Sequence, residues 1–349
     1  MTIELMDHFL DVEKKREVIA VGLGTAGCRI LARIKREDTF IDRFLAISVD
    51  EEDLRYLKES EKLLIPFQQG GKISPRYVRT AVSNYAHKIN TAIGRPFVTF
   101  TIAGLGGGVG SALAPIVAKA AKDVGSFSIA IAVMPFDFEK GKHFYAGLSL
   151  RRLLSSADAV IVVDNESFLK DFSHMPMMDL LTTVNEKICL ALKAITSYPD
   201  PRSFSVGLKK LTQTIQENGI SILSIGSSTS HEGEALAGAV LPVYRITDPH
   251  KASRAIFHWV GSQLRAEDVA TSVKRLADLM GNDYLEVHYG FTVSANSTPV
   301  AIMIVSGFST TKFDEYDPLW SMFDKKGNQL DELPEQSISL ELNGLASIE

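Results

Sequence analysis

The 349-residue chain is long enough for two domains or one large one, and its 45% hydrophobic and 23% charged residues are ordinary for a globular protein. A net charge of −5 gives no electrostatic ground for nucleic acid or an anionic membrane as partner, and the two cysteines, Cys28 and Cys189, make neither a zinc-type spacing nor a disulfide framework. No apolar run reaches the roughly 18 residues of a membrane span, and residues 1–17 carry too many charges for a secretory leader, so a cytoplasmic setting without membrane insertion is expected.

In chain order, residues 4–16 fit a short amphipathic helix, and the apolar run VIAV (18–21) reads as a buried strand ending at glycines. A helix follows to Ile34, then a second strand, FLAISV (44–49). Ser74-Pro75 opens a helix expected to continue to about Ile93, with Pro75 suited to its first turn. Val98 to Ala103 is the next strand, followed by a glycine cluster and a helix over Ser111–Val124. Strands at 128–133 and 159–163 flank a helix near 144–155. This alternation predicts an α/β fold with a mainly parallel, doubly wound sheet.

A long helix near 178–197 carries the chain onward, and Pro199 and Pro201 stop it. The pattern then changes to helix 205–217, strands 220–226 and 254–261, helix 265–280, and strands 285–294 and 300–308. The last two, joined by a polar connection, are expected to form an antiparallel pair within a smaller α+β domain. From Ser309 the chain is polar and acidic, and 325–349 reads as a disordered tail. Its one apolar cluster, Ile338 to Leu342, is a candidate docking peptide.

Two glycine-rich turns follow strands and open helices: GLGTAG (22–27) and GLGGGVGS (104–111). Glycine lets backbone N–H groups approach a phosphate, and the helix N-terminus adds partial positive charge. Either turn alone also fits a tight helix–sheet packing contact. Two of them at the C-terminal edge of one parallel sheet point to a nucleotide. The first turn with Asp50 also fits the dinucleotide fingerprint, which keeps a nicotinamide-dependent oxidoreductase open, with His231, His258 and His288 as scattered acid/base candidates. Neither turn contains the GK[ST] of a P-loop.

The segment AGLGGGVGSALAP (103–115) resembles the tubulin/FtsZ signature GGGTGTG or GGGTGSG with the AAP that follows it in FtsZ. In the same order, the first turn resembles the first phosphate loop of FtsZ and, more closely, that of the archaeal CetZ branch. PFDFE (135–139) is similar to the FtsZ PFxFEG segment, DAVIVVDN (158–165) to its DTLIVIPN strand, and Asn185-Glu186 to the Asn-Asp of its central helix. Residues 285–308 are similar to the closing hairpin of the second domain. The resemblance spans roughly residues 15–308.

It implies a GTP-binding domain over 18–183, a central helix and loop over 184–204, a second domain over 205–308, and flanking segments 1–17 and 309–349. It also implies GTP or GDP with Mg2+, and a head-to-tail polymer with itself or a related FtsZ-like protein. Gly106, Gly107, Gly108, Val109, Gly110 and Ser111 would then hold the β- and γ-phosphates, and Gly24, Thr25, Ala26 and Gly27 the α/β side. Asp50 would face the phosphates or their metal, Glu139 the ribose and Glu186 the guanine donors, with Asn165 lining the same site.

Three departures stand out. Val109 replaces the signature threonine and Ala112 its last glycine. Leu181 or Thr182 stands where an aromatic residue often stacks on guanine. The family's NxDxxD loop, which positions water on the neighbour's γ-phosphate, has no counterpart, because 202–216 contains no Asp or Glu and Asp200 lies between prolines. Binding is therefore expected with slow or absent hydrolysis, in a filament former or in a GTP-binding adaptor that no longer polymerises. Lys209 and Lys210 are the charged groups the stretch offers instead.

Overall fold

The computed structural model describes residues 17–317, apart from 38, 40, 56, 58–60, 68–72, 197–202, 217–218, 229–231, 263–265 and 295–297. The helix expected at 4–16 and the tail with its apolar cluster lie outside the described residues. Among the described residues, eleven strands form one sheet: β1 (Val18–Leu23), β2 (Arg43–Ser48), β3 (Glu61–Leu64), β4 (Val98–Gly104), β5 (Phe127–Met134), β6 (Ala159–Asp164), β7 (Ser203–Phe204), β8 (Ile220–Ser227), β9 (Arg254–Gly261), β10 (Glu286–Val293) and β11 (Val300–Phe308). Their order is β3-β2-β1-β4-β5-β6-β8-β11-β9-β10-β7, and pairing is parallel from β3 through β8.

Described helices, in chain order, are α1 (Gly24–Ile34), α2 (Glu51–Leu54), α3 (Pro75–Ser83), α4 (Ala86–Ile93), α5 (Gly108–Asp123), α6 (Lys140–Ser156), α7 (Asn165–Asp171), α8 (Met177–Thr196), α9 (Gly207–Ile215), α10 (Glu232–Ile246) and α11 (Ala266–Met280). They cover both faces, which is why β1, β4, β5 and β6 can be almost uninterrupted apolar runs. Alternate residues of β1 serve the two layers. Ile19, Val21 and Leu23 pack with α3, α4 and α5, whereas Val18 and Ala20 pack with Ile30 of α1 and Val184 of α8.

The final strands depart from expectation. β10 and β11 do not pair, because β9 lies between them: Trp259 faces Phe291 of β10 in parallel register and Ala301 of β11 in antiparallel register. The burial pattern gives the reason. All of β9 beyond Arg254 is buried, as an interior strand requires, whereas β10 is only partly buried and suits a place next to the edge. The helix expected from Pro75 to Ile93 divides at Asn84-Tyr85, where the Tyr85 amide bonds Val82 O and the Ser83 hydroxyl bonds Thr80 O.

Helix α10 had no local signal, since it contains Gly233, Gly238 and Pro242. It is held by tight packing on β8, where a Cβ at Gly226 would lie 2.0 Å from Ala235 O.

Candidate functional site

Register partners connect the C-terminal ends of the parallel strands into one row. Ile47 is opposite Leu23, Leu23 opposite Ala103, Gly104 opposite Val133, and Met134 opposite Asp164. The segments carrying Asp50, Gly24–Gly27, Gly106–Ser111, Glu139 and Asn165 therefore leave the sheet along one edge, as ligand-binding loops of such sheets do.

The two glycine turns touch. A Cβ at Gly24, whose φ is +61°, would meet the Val109 side chain at 3.1 Å, and one at Gly104 would meet Ala26 Cβ at 2.9 Å. The glycines do different jobs. Gly27 and Gly110 permit close packing, since a Cβ at either would lie 2.2 Å from a carbonyl oxygen, Ile102 O or Gly104 O. Gly107 is exposed, and a Cβ there would meet nothing within 4 Å.

Gly107 is also the N-cap of the 16-residue α5 and provides no side-chain cap, so amides of the first turn face outward with the positive end of the helix dipole. Ser111 is turned inward. It is 2% exposed, and its Oγ accepts from the Gly106 amide at 2.7 Å, which braces the turn. Thr25, by contrast, is exposed on the first turn of α1.

On the far side of the row, Glu139 accepts from the Phe136 amide at 3.1 Å and pairs with Lys142, whose stem stands beside Gly106. Asn165 opens α7, and its buried Oδ1 has no hydrogen-bond partner among the described residues. Glu186 on α8 is half exposed and forms an ion pair with Arg33 of α1. Sequence reasoning missed both cations, although Arg33 and Lys142 lie only a few residues beyond the glycine turn and the PFDFE segment.

Asp50 is exposed and uses Oδ1 to cap α2 through the Glu52 amide at 2.9 Å. Among the described residues no three His, Cys, Asp or Glu side chains gather to hold a metal.

Other candidates stand apart from this row. His258 is fully buried on β9, donates to or accepts from Thr292 Oγ1 at 2.9 Å, and is pushed down to about 4 by burial. His288 sits on β10, and burial and Lys210 lower it. His231 lies outside the described residues. Burial, then Asp53, pushes the Cys28 thiol up to about 12, and burial raises Cys189 to about 11.

The stretch from Ser203 to Gln216 carries no carboxylate, and Asp200 lies outside the described residues. Lys209 and Lys210 are exposed on α9. Glu286, linked to α9 through Arg254, is held in an ion pair at 3.0 Å.

Residues 17–173 match the family described as "Tubulin/FtsZ family, GTPase domain". The chain is 24% identical over 343 residues to cell division protein FtsZ 1 of Pyrococcus woesei, covering 94% of this chain and 90% of that protein. Its fold is similar to an FtsZ dimer structure from M. jannaschii, with a TM-score of 0.77 and 24% identity over 90% of this chain and 96% of that one. A GTPgS-bound protofilament of CetZ2 from Haloferax volcanii matches with a TM-score of 0.69 and 20% identity, covering 88% and 98%. Residues 17–173 thus match the GTPase domain of the tubulin/FtsZ family, and the chain as a whole is similar to FtsZ proteins in sequence and in fold.

Proposed function

We propose that this chain binds GTP with Mg2+ at the edge of β1, β4, β5 and β6 and assembles head to tail in the cytoplasm, with hydrolysis slow or absent. The observation that carries the reading is the convergence of two glycine turns at the N-termini of α1 and α5, with Gly107 open in front of outward-facing amides. Such donors suit the β- and γ-phosphates, with Mg2+ neutralising phosphate charge when bound.

Glu139 and Asn165 supply acceptors for the sugar side. Glu186 supplies the carboxylate that the two parallel donors of guanine require, once it exchanges Arg33 for the base. Residues 18–183 then form the binding domain, 184–204 the connecting helix and loop, and 205–308 the second domain.

A heterologous contact repeated from copy to copy gives an open filament. In this reading the surface that meets the neighbour's phosphates presents Lys209 and Lys210 and no acid from 203 to 216, so nothing there orients or deprotonates the attacking water. A related FtsZ-like protein with intact acids would complete the site in a mixed polymer. The oxidoreductase reading gains nothing from Asp50, which caps its own helix, or from His258, which is sealed in β9.

Light scattering and phosphate release, followed together after adding GTP and Mg2+, test the proposal. GTP-dependent scattering with almost no released phosphate is the expected result. Turnover as brisk as assembly would overturn the hydrolysis claim, and bound guanine nucleotide without assembly would favour the adaptor.

A further inference from the structure

After β11 the chain makes a 3-10 turn, Lys312–Tyr316, started by a capping box between Thr311 and Asp314. This strap lies against α6, which accommodates it at Gly147, where a Cβ would come within 2.8 Å of Asp317 N. Arg151 of α6 pairs with Asp317, and the ring of His143 stacks on Tyr316 with centroids 3.8 Å apart.

The strap also reaches two segments of the site. Lys312 Nζ is 2.7 Å from Asp164 Oδ2 and 3.8 Å from Asp137 Oδ1. The Tyr316 hydroxyl donates to Asp137 Oδ1 at 3.2 Å. Asp164 is 1% exposed and immediately precedes Asn165; Asp137 lies two residues before Glu139. Glu166 adds a third carboxylate by accepting from the Asp137 amide at 3.1 Å.

One lysine, delivered from the segment that follows β11, thus ties the β5–α6 turn to the β6–α7 junction. The lysine neutralises the buried Asp164 carboxylate, and in doing so it bridges the two segments. Phe313, 1% exposed, anchors the same strap by apolar packing.

We propose that Lys312 and Tyr316 are positioning residues for the nucleotide site, holding the 136–139 turn and the start of α7 at the separation that lets Glu139 and Asn165 engage one ribose. The proposal rests on the reading of Glu139 as the ribose acceptor. It makes nucleotide affinity depend on a segment outside the matched GTPase domain.

The test compares dissociation constants of the full chain for GTP and 2′,3′-dideoxy-GTP, alongside thermal unfolding, in wild type, Lys312→Met, Lys312→Arg, Tyr316→Phe and Glu139→Gln. Wild type should prefer GTP by roughly tenfold, the scale of one or two hydrogen bonds to a carboxylate. Lys312→Met should lose most of that preference, with dideoxy affinity nearly unchanged. Lys312→Arg should restore most of it, and Tyr316→Phe should lose part.

An unchanged preference in a folded Lys312→Met protein overturns the proposal. Should that variant not fold, an unchanged preference in Tyr316→Phe, which removes one hydroxyl, overturns it instead. If wild type shows no preference and Glu139→Gln binds GTP normally, the ribose reading itself fails and the proposal falls with it.

Discussion

Alanine at Gly107 and at Gly110, three residues apart on one turn, should separate binding from folding. At Gly110 the new Cβ would sit 2.2 Å from Gly104 O, and both atoms belong to backbone locked between β4 and α5. Reaching an ordinary contact of 3.4 Å requires a shift of about 1.2 Å, and overpacking of that kind costs about 1–3 kcal/mol. Alanine's helix preference over glycine returns up to about 1 kcal/mol, leaving a net loss of up to about 3 kcal/mol and a melting point lower by up to about 5 °C.

At Gly107 the outcome differs. Its φ of −83° is open to any residue, and the Cβ meets nothing within 4 Å, so stability should stay within about 0.5 kcal/mol of wild type. The methyl would instead stand in front of the α5 amides, where the phosphates are placed, and GTP should bind roughly tenfold more weakly, about 1.4 kcal/mol. Scanning fluorimetry and titration with a fluorescent GTP analogue read the two quantities. Equal melting losses in the two variants, or wild-type GTP affinity in Gly107→Ala, would refute the assignment of this face.

Glu186→Ala removes an exposed pair with Arg33 and should change stability by less than about 1 kcal/mol, while GTP-over-ATP selectivity, read by competition binding, falls roughly 10- to 100-fold. His258 gives a pH dependence: the unfolded imidazole protonates near 6.5 and the folded one near 4, so the stability held by its neutrality is complete above 6.5 and is lost as pH falls toward 4. The total is about 3 kcal/mol, and urea midpoints at pH 7 and pH 5 should differ less in His258→Gln than in wild type. Cys28 and Cys189 are buried with raised thiols, so a disulfide-exchange reagent at pH 8 should modify neither in the native protein and both in guanidinium.

The glycine turns were legible because their signal is local. An apolar run ending in glycines specifies a buried strand, a tight turn and a helix start within about a dozen residues. Glu139 followed only from the resemblance of PFDFE (135–139) to a segment of FtsZ. What the two turns could not reveal is the division of labour within them. Gly27 and Gly110 are close-packing positions, Gly107 is the open one, and Ser111 points inward to brace Gly106, because each role depends on what the neighbouring strand presents.

Local pattern alone determined the parallel sheet and the edge at which the two glycine turns lie, and the sequence itself shows no carboxylate from 203 to 216. Pairing across long separations was decided by the tertiary structure. β9 enters between β10 and β11 because it is the more completely buried strand, a comparison no short window contains. Arg33 meets Glu186 across 153 residues, and Lys312 reaches Asp164 across 148, only once the layers have packed. Charges of opposite sign far apart in a chain carry no periodicity, so burial and proximity, which arise on folding, select which of them become partners.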